Sequence, residues 1–503
     1  MGGLVVKKYV VDTDNPKIGK LIFVGTPNLG APLSAKVLLQ GHNFDIFGLN
    51  PDEIKKISRN LPSAYDLLPS LDYFATHSGY ITLVRQKDFT TNEVKTLNYD
   101  ETNNYLLASG LINQQGINNA RKWHTSAFDE YNITNKVPDT YNLVGCKSAT
   151  YSMLEDWQDV SANHRWYESG IPLTGDGTVP FESADSILTN PAAANNVFYI
   201  PKANHGKMPS QEIIRQKITS IISGTEDNAN DIRRQIFTYQ QVKNNPRLCQ
   251  LFGDIIEIHS PLDIAVADAY GNTLQNIPNQ GYYNTIPGAS FYINDNNYKY
   301  VYLPTGDNET YDIKLTGTGS GVFTLIDKKL NNQTITLAYA FKDKPVTPDF
   351  SATLRLTDNT NNTADTAQPP LIILPDNTQI EPELLTPSED SNDRLANDKL
   401  NDDNNDDISN TAENHNKIES NNDSSNNKDN KDNKDNKDKS NNLASSSYYA
   451  ASSYSNSSQS GGQKIIPAVA GASTRRLSLQ EIAASLEQIR ILINQLAVEI
   501  VEW

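Results

Sequence analysis

Residues 361–463 of this 503-residue chain are dominated by Asn, Asp, Lys and Ser, with Lys-Asp-Asn repeating from Lys428 to Asn436. Such a composition buries too little apolar surface to offset chain entropy, so the sequence predicts a disordered tether there. Whatever folds must lie on either side of it. The tract also colours the charge balance. Residues 389–440 hold 15 acidic and 8 basic side chains, −7 of the net −17. An acidic chain without clustered Lys and Arg does not suit nucleic acid as a partner. No stretch reaches the roughly 18 uninterrupted apolar residues of a membrane span. Met1 is followed by Gly2 and Gly3, without the basic and then long apolar order of an export signal.

Before the tether, residues 1–222 mix short apolar runs with Gly, Pro and helical stretches at 1–11 and 209–222. Three such runs, at 21–24, 141–144 and 197–200, alternate with helical segments, the pattern of a parallel sheet covered on both faces. Residues 223–251 are read as a helical connector. From 252 to 360 come short alternating segments separated by Gly- and Asn-bearing turns, as in an all-β sandwich. The two cysteines, Cys146 and Cys249, supply neither a disulfide framework nor a metal pattern, and Cys146 reads as a buried free thiol. Beyond the tether, residues 476–503 predict an amphipathic, coiled-coil-like helix. Leu479, Ile482, Leu486, Ile489, Ile493, Leu496 and Ile500 recur at steps of three and four, after a Ser478/Glu481 capping box. That seam suggests self-association, with docking on another domain as the other reading.

The polar clusters most suited to chemistry lie in loops that follow the second and third apolar runs. They are Gly175-Asp176-Gly177-Thr178-Val179-Pro180 and Asn204-His205-Gly206. Ligands of parallel sheets sit at the carboxyl ends of the strands. An Asp and then a His on such loops is the late part of the order Ser…Asp…His. A serine hydroxyl needs a neutral imidazole to take its proton, and the imidazole needs a carboxylate to hold its tautomer. Asp176 and His205 are the candidates for those two roles. No metal or other cofactor is expected. His42, His77, His124 and His164 read as solvated or structural, in a region, roughly 30–140 and around 160, that forms a lid or a surface cap.

Several segments resemble one family in its own order. Met1-Gly2-Gly3-Leu4-Val5-Val6 is similar to the helix start immediately after the nucleophile in a Gly-His-Ser-Met-Gly-Gly elbow. Lys20–Pro32 contains Gly25-Thr26-Pro27-Asn28-Leu29-Gly30-Ala31-Pro32, and 60–69 carries Pro62-Ser63 and Leu67-Leu68-Pro69. Gly175–Pro180 resembles the acid loop, and His205 with Met208-Pro209 the histidine loop. On these motifs residues 1–222 resemble the lecithin:cholesterol acyltransferase family. The resemblance implies the C-terminal part of an α/β-hydrolase sheet and acyl transfer from a lipid or other ester substrate, to an acceptor or to water, through an acyl-serine. It assigns Asp176 and His205 to the triad, the Met1 backbone N–H to the oxyanion site, and Thr26 and Asn28 to the acyl pocket. The nucleophile then falls on the residue just before Met1, which reads as an internal methionine of an N-terminally truncated chain, inactive as it stands.

Residues 260–321 resemble, through Ser260-Pro261-Leu262-Asp263 and Gly317–Gly321, β-sandwich modules appended to secreted enzymes. An extracellular or cell-surface location is the expectation for the full-length protein. Two functions fit the sequence: a serine O-acyltransferase or lipase, or a non-catalytic binding or surface-display protein built from a hydrolase remnant. Asp176 and His205 standing in their expected loops favours the first, since a decayed site has no physical reason to keep them together.

Overall fold

The computed structural model describes residues 1–385 except 43–49, 87–91, 110–111, 159–163, 169–170, 189–190, 226–234, 260, 278–280, 294–297, 306–308 and 357–368. Most of the expected tether (386–463) and the 476–503 helix lie outside the described residues.

The first part is mixed α/β. Strands Leu21–Val24, Thr140–Cys146 and Val197–Pro201 are parallel neighbours, and Phe237–Thr238 adds antiparallel to the last of them. The registers place Val24 opposite Leu143 and Gly145 opposite Ile200. Because side chains alternate across a strand, each strand feeds two cores. Phe23, Val144 and Tyr199 pack with Val10 of helix Gly2–Asp12 on one face. Leu143 and Ile200 pack with Ile214 and Ile221 of helix Glu212–Ser223 on the other. That second helix has Glu212 in its first turn, where a carboxylate suits the helix dipole, and stops at Gly224. Gly224 takes the left-handed φ of 67° that a helix C-terminus favours. The stretch expected to be helical from 209 instead opens with a 3-10 turn, His205–Ser210, that contains Pro209.

The region read as a lid or cap has a sheet of its own. Among the described residues its order is Asn92–Thr96, Ile81–Gln86, Leu154–Gln158, His164–Glu168. Helix Tyr99–Ala108 lies over it, started by an Asn98/Glu101 capping box. Leu106 of that helix and Ile117 of helix Gln114–Trp123 join Ile81, Tyr80 and Leu154 in one core.

From Phe252 the chain is strand-rich. Two antiparallel sheets share an apolar core that includes Ile256, Ile258, Leu262, Ile264, Leu303, Leu325, Phe341 and Leu354. One sheet runs Ser290–Ile293, Lys299–Pro304, Phe252–His259, Gly321–Asn331, Thr334–Val346, Glu383–Leu384. The other runs Gly281–Asn284, Thr273–Ile277, Leu262–Asp268, Tyr311–Gly317, Ser351–Arg355, Leu371–Ile373, Gln379–Ile380. Strands at 371–384 therefore correct the expected start of the tether at 361. They are two or three residues long, too short for alternation to register.

The cysteines also require a correction. Cys146 and Cys249, 103 positions apart, form a disulfide with their Cα atoms 5.2 Å apart. The connector, which holds helix Tyr239–Asn244 as well as the Phe237–Thr238 strand, returns Cys249 to the end of the Thr140–Cys146 strand. A count of two cysteines carries no information about such a return. The same junction brings Ala149 against Ile255 and Tyr302, and pairs Lys202 with Glu309. Among the described residues no helix is long and apolar enough to cross a membrane.

Candidate active site

Asp176 comes directly after the three-residue strand Leu173–Gly175 and is 1% exposed. Its Oδ1 accepts the backbone N–H groups of Thr178 (3.1 Å) and Val179 (2.7 Å). Those two bonds fix the carboxylate and leave Oδ2 directed at His205 Nδ1, 2.8 Å away. The His205 backbone N–H donates to the Asp176 carbonyl, also at 2.8 Å. The histidine is thus held twice by one residue, once through the chain and once through the ring. Its side chain keeps 35% exposure, and among the described residues Nε2 has no hydrogen-bond partner. A proton on Nδ1, donated to the carboxylate, would leave the lone pair on Nε2, the tautomer a general base requires.

A second His–Asp pair shows what this arrangement excludes. His124 places Nδ1 2.8 Å from Asp129 Oδ1 and Nε2 2.9 Å from the Asp66 carbonyl, and the ring is buried. With both nitrogens occupied it braces the cap and has no proton site to offer. His77 stacks on Tyr73 at 4.3 Å. His42 is held as neutral imidazole: burial first, and Lys36 second, push its pKa down to about 4.

Two glycines make room for the pair, a role that sequence reading misses although both stand at strand ends. A Cβ on Gly145 would stand 2.5 Å from Asp176 Cβ and 3.0 Å from Ala203 Cβ. A Cβ on Gly25 would stand 2.8 Å from Asp176 Oδ2 and 3.4 Å from His205 Nδ1, and Gly25 also needs φ of 55°. The shorter of these distances are ones no side chain tolerates. The available signal was a glycine at the carboxyl end of each central strand, where ligands and catalytic groups gather.

The other expected site residues divide. Thr26 is 5% exposed and faces the first helix, for a Cβ on Gly3 would come within 2.2 Å of its Oγ1. Gly25 adjoins His205, so a continuous line runs from the start of that helix through Thr26 and Gly25 to the imidazole. Met1 caps the helix N-terminus; its carbonyl accepts from Leu4 N–H at 3.0 Å, and burial lowers the pKa of its amino group. Asn28 is placed differently. It is fully buried, and its Nδ2 donates to the Ala184 carbonyl at 3.2 Å, beside Asn142 Nδ2 at 2.9 Å on the same acceptor. Asn28 thereby braces its loop against helix Phe181–Asp185. Thr150, which sequence reading does not single out, steadies the acid loop by accepting the Gly177 N–H at 2.9 Å.

A cleft of about 200 Å³ opens where the cap, the acid loop and the strand-rich region meet, with Gly177, Thr178, Tyr151 and Tyr302 in its walls. Neither Asp176 nor His205 lines it, so it adjoins the pair without containing it.

No curated protein matches the chain. The family comparison reaches past Asp176 but stops before His205. Over residues 1–185 the chain matches the family model of lecithin:cholesterol acyltransferase, the family its motifs resemble.

Proposed function

We propose that Asp176 and His205 are the acid and base of a serine-dependent acyl-ester enzyme, an O-acyltransferase or a lipase. The family match over residues 1–185 suggests lipid acyl-ester chemistry. The observation that carries the assignment is the 2.8 Å contact between His205 Nδ1 and Asp176 Oδ2, on a histidine whose side chain stays partly exposed. In this reading the nucleophile is a serine joined directly to Met1, at the start of the helix that Thr26 packs against. His205 Nε2 takes the serine proton as Oγ attacks the ester carbonyl, then returns it to the leaving alcohol. Asp176 holds the ring and stabilises the imidazolium. The Met1 N–H, as an internal amide, donates to the oxyanion, and Thr26 lies beside the acyl group. Water or an acceptor alcohol then releases the acyl-serine.

An extracellular or surface location fits the Cys146–Cys249 disulfide, since such bonds persist in oxidising compartments. The test is to express the reading frame extended upstream through the serine codon and to measure acyl release or transfer from glycerolipid esters. His205→Ala and Asp176→Ala should each lower kcat by about a thousandfold or more. Unchanged turnover in both variants would refute the roles assigned here, and would leave the binding or display reading in their place.

A further inference from the structure

Three ionisable side chains stand on the core face of the strand-rich region. Alternation along Phe252–His259 puts Asp254 on the same face as Ile256 and Ile258, both core residues with no exposure. The register with Gly321–Asn331 sets Asp254 opposite Lys329 and Ile256 opposite Asp327. Asp254, Asp327 and Lys329 are 2%, 0% and 4% exposed. Lys329 Nζ contacts Asp254 Oδ1 directly and lies 3.0 Å from Asp327 Oδ2. Asp327 is fully buried, and the Lys329 ammonium at 3.0 Å from Oδ2 is the cation that faces it.

As ions, this group is poorly served. Two carboxylates and one ammonium out of water carry a net negative charge, an expensive arrangement. Burial first, and Asp327 next, hold the Asp254 carboxyl well above the usual carboxylate range, which favours a proton on it. A carboxylic acid, an amine in contact with it and a second carboxylate within reach of that amine are the parts of a condensation. On the opposite face of the same strands Lys328 lies 2.7 Å from Glu257 Oε1, also buried, and there Glu257 Oε2 is approached by His259 at 4.0 Å. Lys7 is equally buried, but its Nζ rests on the Asp129 carbonyl oxygen, with no carboxyl against it. Lys55 and Asp52 touch at the surface, where water solvates both.

We propose that Lys329 and Asp254 become joined by an intramolecular amide bond between Lys329 Nζ and Asp254 Cγ, with Asp327 as proton carrier. The two carboxylates hold Lys329 as its ammonium, so the step begins with transfer of one ammonium proton to the Asp254 carboxylate; the amine so freed attacks Cγ of the protonated carboxyl. Asp327 takes the proton released by the nitrogen and hands it to the departing hydroxyl. One C–N bond forms, one C–O bond breaks, and one water leaves, with no oxidant or reductant involved. The product replaces a buried ion pair with a neutral amide and ties two neighbouring strands covalently.

The test is the intact mass of the full chain, purified, reduced and denatured, and then peptide mapping. The bond makes the chain lighter than its sequence by one water, about 18 Da, and yields a branched peptide joining Lys329 to Asp254. Lys329→Arg and Asp327→Asn should both return the full sequence mass. A wild-type chain at full mass, with Lys329 and Asp254 in separate unmodified peptides, overturns the proposal, as does a mass deficit mapped to any other site. A deficit that persists in Asp327→Asn overturns the role given to Asp327. The decisive wild-type measurement does not depend on any variant folding.

Discussion

Replacing Gly145 by alanine tests whether the room left at the strand ends governs the Asp176–His205 contact. The new Cβ would meet Asp176 Cβ at 2.5 Å and Ala203 Cβ at 3.0 Å. Carbon atoms rest at about 3.5–4.0 Å, so Asp176 must retreat by about 1 Å. The Thr178 and Val179 N–H groups hold Oδ1 within its own loop, whereas Oδ2 has to reach across to His205. The 2.8 Å contact to His205 is the one that gives way. Overpacking alone costs about 2 kcal/mol, and loosening a charge-assisted hydrogen bond adds to it. Each kcal/mol lowers Tm by roughly 2–4 °C in a domain of this class. Two readouts apply: thermal unfolding, and the downfield ring N–H proton of His205 in the NMR spectrum, which should shift or vanish. Gly206→Ala is the control in the neighbouring loop. Its Cβ would find nothing nearer than 3.8 Å, and it should stay within about 0.5 kcal/mol of the parent. A Gly145→Ala protein with the parental Tm and an unmoved His205 proton would refute the reasoning.

Three further outcomes are expected. Cys249→Ser, which opens a loop of 103 residues, should cost about 4 kcal/mol, and reductant should lower the parental Tm while leaving the variant unchanged. Burial raises the Asp185 pKa from 3.8 to about 6, even though the Tyr199 hydroxyl donates to it at 3.0 Å. Its stabilising contribution is therefore complete below pH 3.8 and lost as pH rises through 6. Asp185→Asn should thus gain up to about 3 kcal/mol over the parent at neutral pH and little under acid conditions, as pH-dependent denaturant titration would show. Asn28→Ala should lower stability by about 2 kcal/mol through its buried amide and leave the KM of the extended enzyme unchanged; a raised KM would return Asn28 to the substrate pocket.

The nearness of Asp176 and His205 was legible in part because each residue is marked locally: glycines flank Asp176, and His205 follows a short apolar run. Such runs made the parallel strands readable, since continuous apolar stretches are what a two-sided sheet demands. The cap's sheet was not legible. Ile81–Gln86 and Asn92–Thr96 alternate weakly and sit among polar residues, and their pairing with Leu154–Gln158 spans a long stretch of chain. The disulfide failed for a related reason: the return of Cys249 to Cys146 is decided by the connector's path, which leaves no periodic trace. The function of Gly25 and Gly145 was invisible because a glycine's importance lies in what stands beside it, and Asp176 comes beside Gly145 only in three dimensions.

The junction between the two parts bears on how this chain can be divided. A boundary drawn between Leu251 and Phe252 looks natural along the sequence, since α/β elements end there and continuous strands begin. Yet such a cut would leave Cys249 holding only the last few residues of its piece, strip Ala149 of Ile255 and Tyr302, and take Glu309 from Lys202. Lys202 itself lies only three positions before His205, and its N–H donates to the Cys146 carbonyl at 2.7 Å. The histidine loop therefore has its footing in both halves. The strand-rich part is not an interchangeable attachment: swapping it for an unrelated sequence would reshape the ground on which His205 stands.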